Sequence, residues 1–489
     1  MKIYSNQFLI SNTLIKSEIN NFVSVDLIGL HIYHSDECNI LHFEKGSNPA
    51  VLMLGFIIDY ESPNKKQIDI LEDISKGVSN GDYLEYINKL SGRFLLVIKD
   101  DGYKFIGDAC GLKSLYYTGD SNAFLMGSSV SIIENETNKK DSERELYYLK
   151  SNYVSKDIEH WIPSGISINR EIFSLTPNHL LNTNKMEQVR FWPNKERVDV
   201  DYVDAKEKVK SIIKESIRVA GSRYKLSFPI TAGWDARLLL SLSKEISNDM
   251  FIYTLKYRDL DDLSADIKVP RELLKDVDLK HHVINCNIPQ DQAFEALYRK
   301  NTNPSHYNDW GVIAHGIYKS KIKGMVCLKG NCSEIARCYY YSDGIKKEVS
   351  DYTQIIALEK GWAGVEFIEA RVQEWFLETK PICDKYGYDI LDLFYWEHRM
   401  GSWQSSSQLE WDVSQEAFTP YNNRELMGIM LSIESKFRSE PQYKLYHDII
   451  DESWPELLKH PINPRTLKQI LKSAIKKKLI LKIKSFLGR

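Results

Sequence analysis

The chain has 489 residues and a mass of 56.8 kDa, with 43% hydrophobic and 27% charged residues. This is enough apolar material for real cores, it excludes a disordered or fibrous protein, and it suggests two or three domains at roughly 100–200 residues each. Lys+Arg is 64 and Asp+Glu is 67, a net charge of −3, so the chain as a whole offers no electrostatic footprint for nucleic acid.

The seven cysteines, Cys38, Cys110, Cys286, Cys327, Cys332, Cys338 and Cys383, are scattered, and no two have CxxC spacing. They read as ordinary buried thiols in a reducing compartment, not as a disulfide framework or a zinc site. The start, Met1-Lys2-Ile3-Tyr4-Ser5, lacks a basic region followed by an apolar run, and no stretch reaches the ~18 apolar residues of a membrane helix. The expectation is a soluble cytoplasmic protein.

In chain order, the first ~135 residues are strand-rich. Ala50–Ile58 and Arg93–Ile98 are short apolar runs bounded by turn residues, and Asp100-Asp101-Gly102 before Tyr103–Gly107 predicts a hairpin. The polar stretch Glu134–Glu145 predicts a surface loop, and residues 167–192 return to short strands. The period then changes. Val209, Ile212, Ile213, Ile217 and Ala220 predict an amphipathic helix over 204–220. A strand (Tyr224–Ile230), a helix (Arg237–Glu245), a strand (Met250–Leu255), a helix (Ala265–Lys275) and a strand (Lys280–Ile284) follow. Such alternation is the signature of a parallel α/β sheet. The domain boundary is placed near 193–203, and beyond 345 the chain reads as mostly helical.

From Arg465 to Arg489 there are nine basic residues and no acid, with Leu467, Ile470, Leu471, Ala474, Ile475, Leu479, Ile483, Phe486 and Leu487 near helical spacing. This predicts a basic amphipathic C-terminal helix, docked on the acidic body or in contact with a membrane surface or another anionic partner.

The chemistry concentrates in Ser227-Phe228-Pro229-Ile230-Thr231-Ala232-Gly233-Trp234-Asp235-Ala236-Arg237. An apolar strand enters a small-residue turn and a helix begins at once. Free N–H groups and the helix dipole then face the turn, which suits an anion. Thr231 adds a hydroxyl, Gly233 allows close backbone approach, and Asp235 beside phosphate makes sense as a Mg²⁺ ligand. Read as spacing alone, a plain strand–turn–helix connection stays open. No Gly-Lys-Ser/Thr occurs there, so this is not a Walker A loop.

Thr231 to Arg237 resembles the Ser-Gly-Gly-x-Asp-Ser pyrophosphate loop of the asparagine synthetase family, whose members adenylate a carboxylate with ATP; Ala232 and Ala236 depart from that pattern. The resemblance continues in order along the chain. Tyr253, Thr254 and Leu255 stand where the family contacts adenine. Ser264-Ala265-Asp266-Ile267 resembles its acidic helix start, and His281-His282 its paired-histidine strand. Leu328-Lys329-Gly330-Asn331-Cys332-Ser333-Glu334 resembles its later Gly-rich turn, with Glu334 at the second magnesium carboxylate. Glu416–Arg424 resembles a further segment in which Phe418 and Asn423 replace an arginine and an aspartate. Lys459 and Glu397 are the candidates for catalytic residues, with Arg399 beside Glu397; an exposed helical ion pair is the competing reading of the last two. Asn331 stands where one branch of the family has the tyrosine of its lactam-forming pair, so that mechanism is not expected.

The N-terminal half, through Gly92–Ile98, Gly107–Tyr117 and Pro163–Trp192, is similar to the family's class II amidotransferase domain. The resemblance therefore implies a mixed α/β and α+β chain. Residues 1–195 would form an Ntn-type antiparallel β-sandwich with flanking helices. Residues 196–464 would form a parallel α/β ATP-binding synthetase domain of the PP-loop type with a helical C-terminal part, and 465–489 the basic helix. Lys2, not the nucleophilic cysteine of active amidotransferases, follows Met1, so no glutamine hydrolysis is expected.

The resemblance implies an ATP- and Mg²⁺-dependent ligase. Thr231, Ala232, Gly233, Trp234, Asp235, Ala236, Arg237, Thr254, Leu255 and Gly330 would bind ATP, and Asp235 and Glu334 would hold Mg²⁺. Its partners would be a small-molecule carboxylate and ammonia or an amine, without nucleic acid; oligomerisation stays open. The alternative is a catalytically degenerate nucleotide-binding or scaffold protein. A thiolating or tRNA-modifying enzyme fits less well, because the body of the chain is not basic.

Overall fold

The computed structural model describes residues 2–15, 19, 22–46, 48–156, 159–301 and 310–464. The predicted C-terminal helix over 465–489 lies outside them. Two six-stranded antiparallel sheets occupy the first 190 residues. One runs, edge to edge, through Phe173–Ser174, Tyr116–Gly119, Phe124–Gly127, Phe8–Ser11, Leu30–Ser35 and Phe22–Leu27; the other through Glu187–Arg190, His179–Asn182, Tyr103–Gly107, Leu90–Lys99, Ala50–Asp59 and Ile40–Phe43. Side chains alternate across each strand, so one set meets between the sheets. Phe8, Ile10 and Ile32 from the first sheet pack with Leu52, Leu54, Leu95 and Val97 from the second. The opposite face of the second sheet, with Val51, Met53, Leu96 and Ile98, packs on Ile70, Leu71 and Ile74 of helix Gln67–Asn80. The 100–102 hairpin forms, with Lys99 opposite Tyr103.

The predicted loop at 134–145 is a correction. Helices Val130–Thr137 and Ser142–Leu149 cover most of it. Ser129 accepts from the Ile132 N–H and Asp141 from the Arg144 N–H, so two side-chain caps start helices where composition reads as loop. Ile132, Ile133 and Tyr148 are buried beneath the polar face.

The second half is built on a five-stranded parallel sheet ordered His282–Asn285, Phe251–Lys256, Leu226–Pro229, Val326–Leu328, Ala417–Phe418. The predicted helix-and-strand alternation is borne out to within a few residues, with helices Tyr202–Arg223, Trp234–Leu242 and Ala265–Asp276. The predicted helix end at Glu245 is instead a 3₁₀ turn, Lys244–Asp249. In chain order the sheet reads three-two-one-four-five. The chain therefore winds outward from Leu226–Pro229 in one direction and returns to its other side with Val326–Leu328. In open α/β sheets the crevice at such a reversal, beyond the carboxyl ends of the strands, is where ligands bind.

Buried polar contacts join the two halves. Arg93 donates to both carboxylate oxygens of Asp412, at 2.6 and 2.7 Å, and to Glu416 at 2.7 Å. Arg424 reaches back to the Gly107 and Asp108 carbonyls, and the Asn422 amide bonds the Gly92 carbonyl. Asn423 caps its own helix through the Leu426 N–H and donates to the Lys89 carbonyl, while Phe418 packs in the core against Phe56. Phe418 and Asn423 thus serve packing and docking. All seven cysteines are buried and unbridged. Among the described residues no helix is long and apolar enough to cross a membrane.

Candidate functional site

Strand Leu226–Pro229 leads into Ile230, and helix Trp234–Leu242 starts after Gly233, which offers no side-chain cap. Two of the turn's donors are used internally: Ala232 N–H donates to Asp266 Oδ1 at 3.1 Å and Gly233 N–H to Thr231 Oγ1 at 3.2 Å. The acidic helix start at 266 thus braces the turn. Thr231 is exposed, Gly233, Trp234, Asp235 and Ala236 are half-buried, and Ala232 is buried.

The neighbouring strand Val326–Leu328 delivers a second turn to the same crevice. A Cβ on Gly330 would sit 2.8 Å from Asp235 Cβ, so the two turns touch and only glycine fits at 330. Ser333 Oγ donates to Asp235 Oδ1 at 2.5 Å. Glu334, on a 3₁₀ turn over Ser333–Ala336, converges on the same place. Burial and the neighbouring Asp235 charge raise its carboxyl above the usual range, against the opposing pull of Arg337. We expect Gly330→Ala to cost about 1–3 kcal/mol by overpacking and to weaken any ligand held at this crevice. Thermal melting beside a nucleotide titration checks both.

Arg337 was not singled out in the sequence. A single nitrogen, Nη2, lies 3.1 Å from Asp235 Oδ2 and 3.3 Å from Glu334 Oε1. Its guanidinium also lies over the rings of Tyr443 and Tyr446 at 5.6 and 6.0 Å. The two expected magnesium ligands are therefore brought together, but through a guanidinium. Mg²⁺ requires oxygen ligands at about 2.0–2.1 Å in near-octahedral geometry. As arranged, the residues present do not fit a bound Mg²⁺.

The remaining candidates separate. Arg237 does not face the crevice: it is buried and donates to the carbonyls of Leu457, His460 and Pro461. Asn463 N–H continues this strap to the Ala232 carbonyl at 2.9 Å. Arg237→Met should free 457–463 from the turn, detected as new proteolytic cleavage there and a lower melting temperature, since each hydrogen bond from a charged donor contributes about 1.5–3 kcal/mol. Trp234 packs on Tyr443. The Thr254 hydroxyl donates to the Ile230 carbonyl at 2.7 Å and meets His281 Nε2 at 2.9 Å, so its side chain serves the sheet; burial lowers the His281 imidazole to about 4 and keeps it neutral. Leu255 is half-buried on the same strand.

Lys459 is exposed and does not line the cleft described next. Glu397 is a correction of the exposed-pair reading and of a place in the cleft. Its side chain has no exposed surface and is bonded by Arg190, by Trp375 Nε1 at 2.7 Å and by Asn178 at 3.1 Å. Arg399, two residues on, does reach the cleft.

That cleft, about 420 Å³, opens beside Glu334 and Arg337. A π-helical segment, Tyr395–Gln404, forms one wall and contributes Tyr395, Arg399 and Trp403. Wide turns of this kind often mark functional sites. Arg399 lies over the rings of Tyr339 at 5.3 Å and Trp403 at 4.9 Å and is loosely paired with Glu359 at 3.5 Å. Asn331 bonds Gln404 at 2.9 Å across the floor.

No protein-family model and no curated protein matches the chain. Among solved structures, the chain is similar to an NH3-dependent NAD synthetase from Campylobacter jejuni in complex with the nitrate ion, at 16% identity and a TM-score of 0.22, over 40% of this chain and 90% of that one. It is also similar to a glutamine phosphoribosylpyrophosphate amidotransferase from B. subtilis complexed with ADP and GMP, at 10% identity and a TM-score of 0.22, over 63% of each chain. A third, described as the allosteric regulatory enzyme of purine biosynthesis, is 9% identical at a TM-score of 0.21, over 60% of this chain and 72% of that one. Likenesses this slight assign no activity.

Proposed function

We propose that the chain is an ATP-dependent amide-forming ligase that activates a substrate carboxylate as an acyl-adenylate. The observation that carries this reading is the meeting of the Thr231–Asp235 and Gly330–Glu334 turns at the reversal point of a parallel sheet, beside a cleft of about 420 Å³. An uncapped helix start offers N–H groups to a phosphate tail. The cleft offers Arg399 among Tyr339, Tyr395 and Trp403, which suits a carboxylate carrying an apolar or aromatic body.

In this reading residues 196–464 form the PP-loop-type synthetase unit and 1–195 an amidotransferase-like unit without glutaminase chemistry. A carboxylate oxygen attacks the α-phosphorus of ATP, and the bond to pyrophosphate breaks. The nitrogen lone pair of ammonia or an amine then attacks the acyl carbon, the acyl carbon–oxygen bond to AMP breaks, and nitrogen loses a proton. Catalysis rests on positioning and charge neutralisation, with no covalent enzyme intermediate.

A pyrophosphate-release screen of the full chain over carboxylates, with hydroxylamine to trap the acyl group as a hydroxamate, tests this. The expected result is ATP-dependent hydroxamate and AMP with at least one carboxylate class. ATP binding without release across the panel would favour the binding-protein reading instead.

A further inference from the structure

The position between Asp235 and Glu334 is held by a side chain of the protein itself. One nitrogen of Arg337 serves both carboxylates, at 3.1 and 3.3 Å, from a side chain only 15% exposed whose guanidinium is backed by the Tyr443 and Tyr446 rings. Ser333 takes a further lone pair of Asp235. A divalent ion entering between the carboxylates would have to displace the guanidinium from both or sit beside its positive charge. Arg337 Nε is buried without a partner among the described residues, so the group has donor capacity still unused. Planar guanidinium is well matched to phosphate oxygens and never loses its charge.

We propose that Arg337 is the built-in cation of this site. It takes the place of a bridging metal between Asp235 and Glu334, and it meets the phosphate tail of a nucleotide with its remaining donors, so the protein binds a nucleoside triphosphate without taking up a divalent ion on these two carboxylates. The ligand class rests on the reading above; the counter-cation role does not.

The test is Mn²⁺ titration of the full chain without nucleotide, followed by the electron paramagnetic resonance signal of free Mn²⁺. Wild type should show no stoichiometric uptake. Arg337→Gln should gain one Mn²⁺ per chain, and Asp235→Asn added to that variant should remove it. Arg337→Lys, which keeps the charge, should take up none. ATP affinity of the wild type should be unchanged by EDTA and should fall at least tenfold in Arg337→Gln.

One equivalent of Mn²⁺ on wild type, lost in Asp235→Asn, overturns the proposal. So does an Arg337→Gln protein with a wild-type melting curve and no Mn²⁺ gain. If Arg337→Gln does not fold, the wild-type and Asp235→Asn titrations decide alone. Failure of ATP to bind under any condition, with the Mn²⁺ pattern as expected, removes the nucleotide reading and leaves the counter-cation in place.

Discussion

Asp235→Ala is expected to abolish pyrophosphate release while leaving the fold intact. Alanine keeps the Cβ that meets Gly330, so the packing of the two turns survives. What disappears is the carboxylate that accepts from Ser333 and anchors one side of Arg337. The guanidinium is then left on Glu334 alone, free to leave the position it needs to meet a developing phosphate charge. Loss of one preorganised group aimed at a reacting centre costs about 10²–10³-fold in rate, and Asp235 positions two others. Steady-state pyrophosphate release, with circular dichroism to confirm folding, is the measurement. Retention of wild-type turnover in that variant would place the reaction elsewhere.

The second large effect is on stability. Glu397→Ala should destabilise the protein by about 3–5 kcal/mol, the range for removing one partner of a buried ion pair. Arg190, Trp375 and Asn178 all point at Glu397, and none gains a new acceptor in the variant. Glu397 has no exposed surface, so water does not replace the lost carboxylate. Burial opposes its charge, but Arg190 and Trp375 hold the carboxyl down at about 2, against an ordinary value of 4.5. The sign follows: the folded state favours the deprotonated form, so the contribution is present above pH 4.5 and is lost as the pH falls from there towards 2. Denaturant melts of wild type and variant should therefore differ most at neutral pH and converge in acid.

The parallel sheet was legible because Leu226, Phe228 and Ile230 fall in an apolar run between stretches of helical period. A period change is a local signal. The turn at 231–235 was legible for the same reason, as a strand followed at once by a helix. Helices at 130–149 were not, because their starts depend on Ser129 and Asp141 as caps, and a polar composition hides a buried face only two or three residues wide.

The site was half legible. Asp235 and Glu334 could be paired by order along the chain. Arg337, three residues after Glu334, gave no sign that its Nη2 would reach across to the other turn. Glu397 read as a cleft residue, or as an exposed partner of Arg399, because its true partner, Arg190, is 207 residues away. Arg237, beside Asp235 in sequence, turned out to hold the chain's later segment. Long-range polar pairing leaves no periodic trace in a sequence.

The buried ion pairs across the junction have a consequence for how such a chain can change over evolutionary time. Arg93 and Arg190 belong to the antiparallel sheets, while Asp412, Glu416 and Glu397, which they neutralise, belong to the half with the crevice. Deleting the first half would strand those three acids without the guanidinium partners that bond them. The half that carries the crevice is therefore obliged to keep the sandwich, whatever the sandwich itself does.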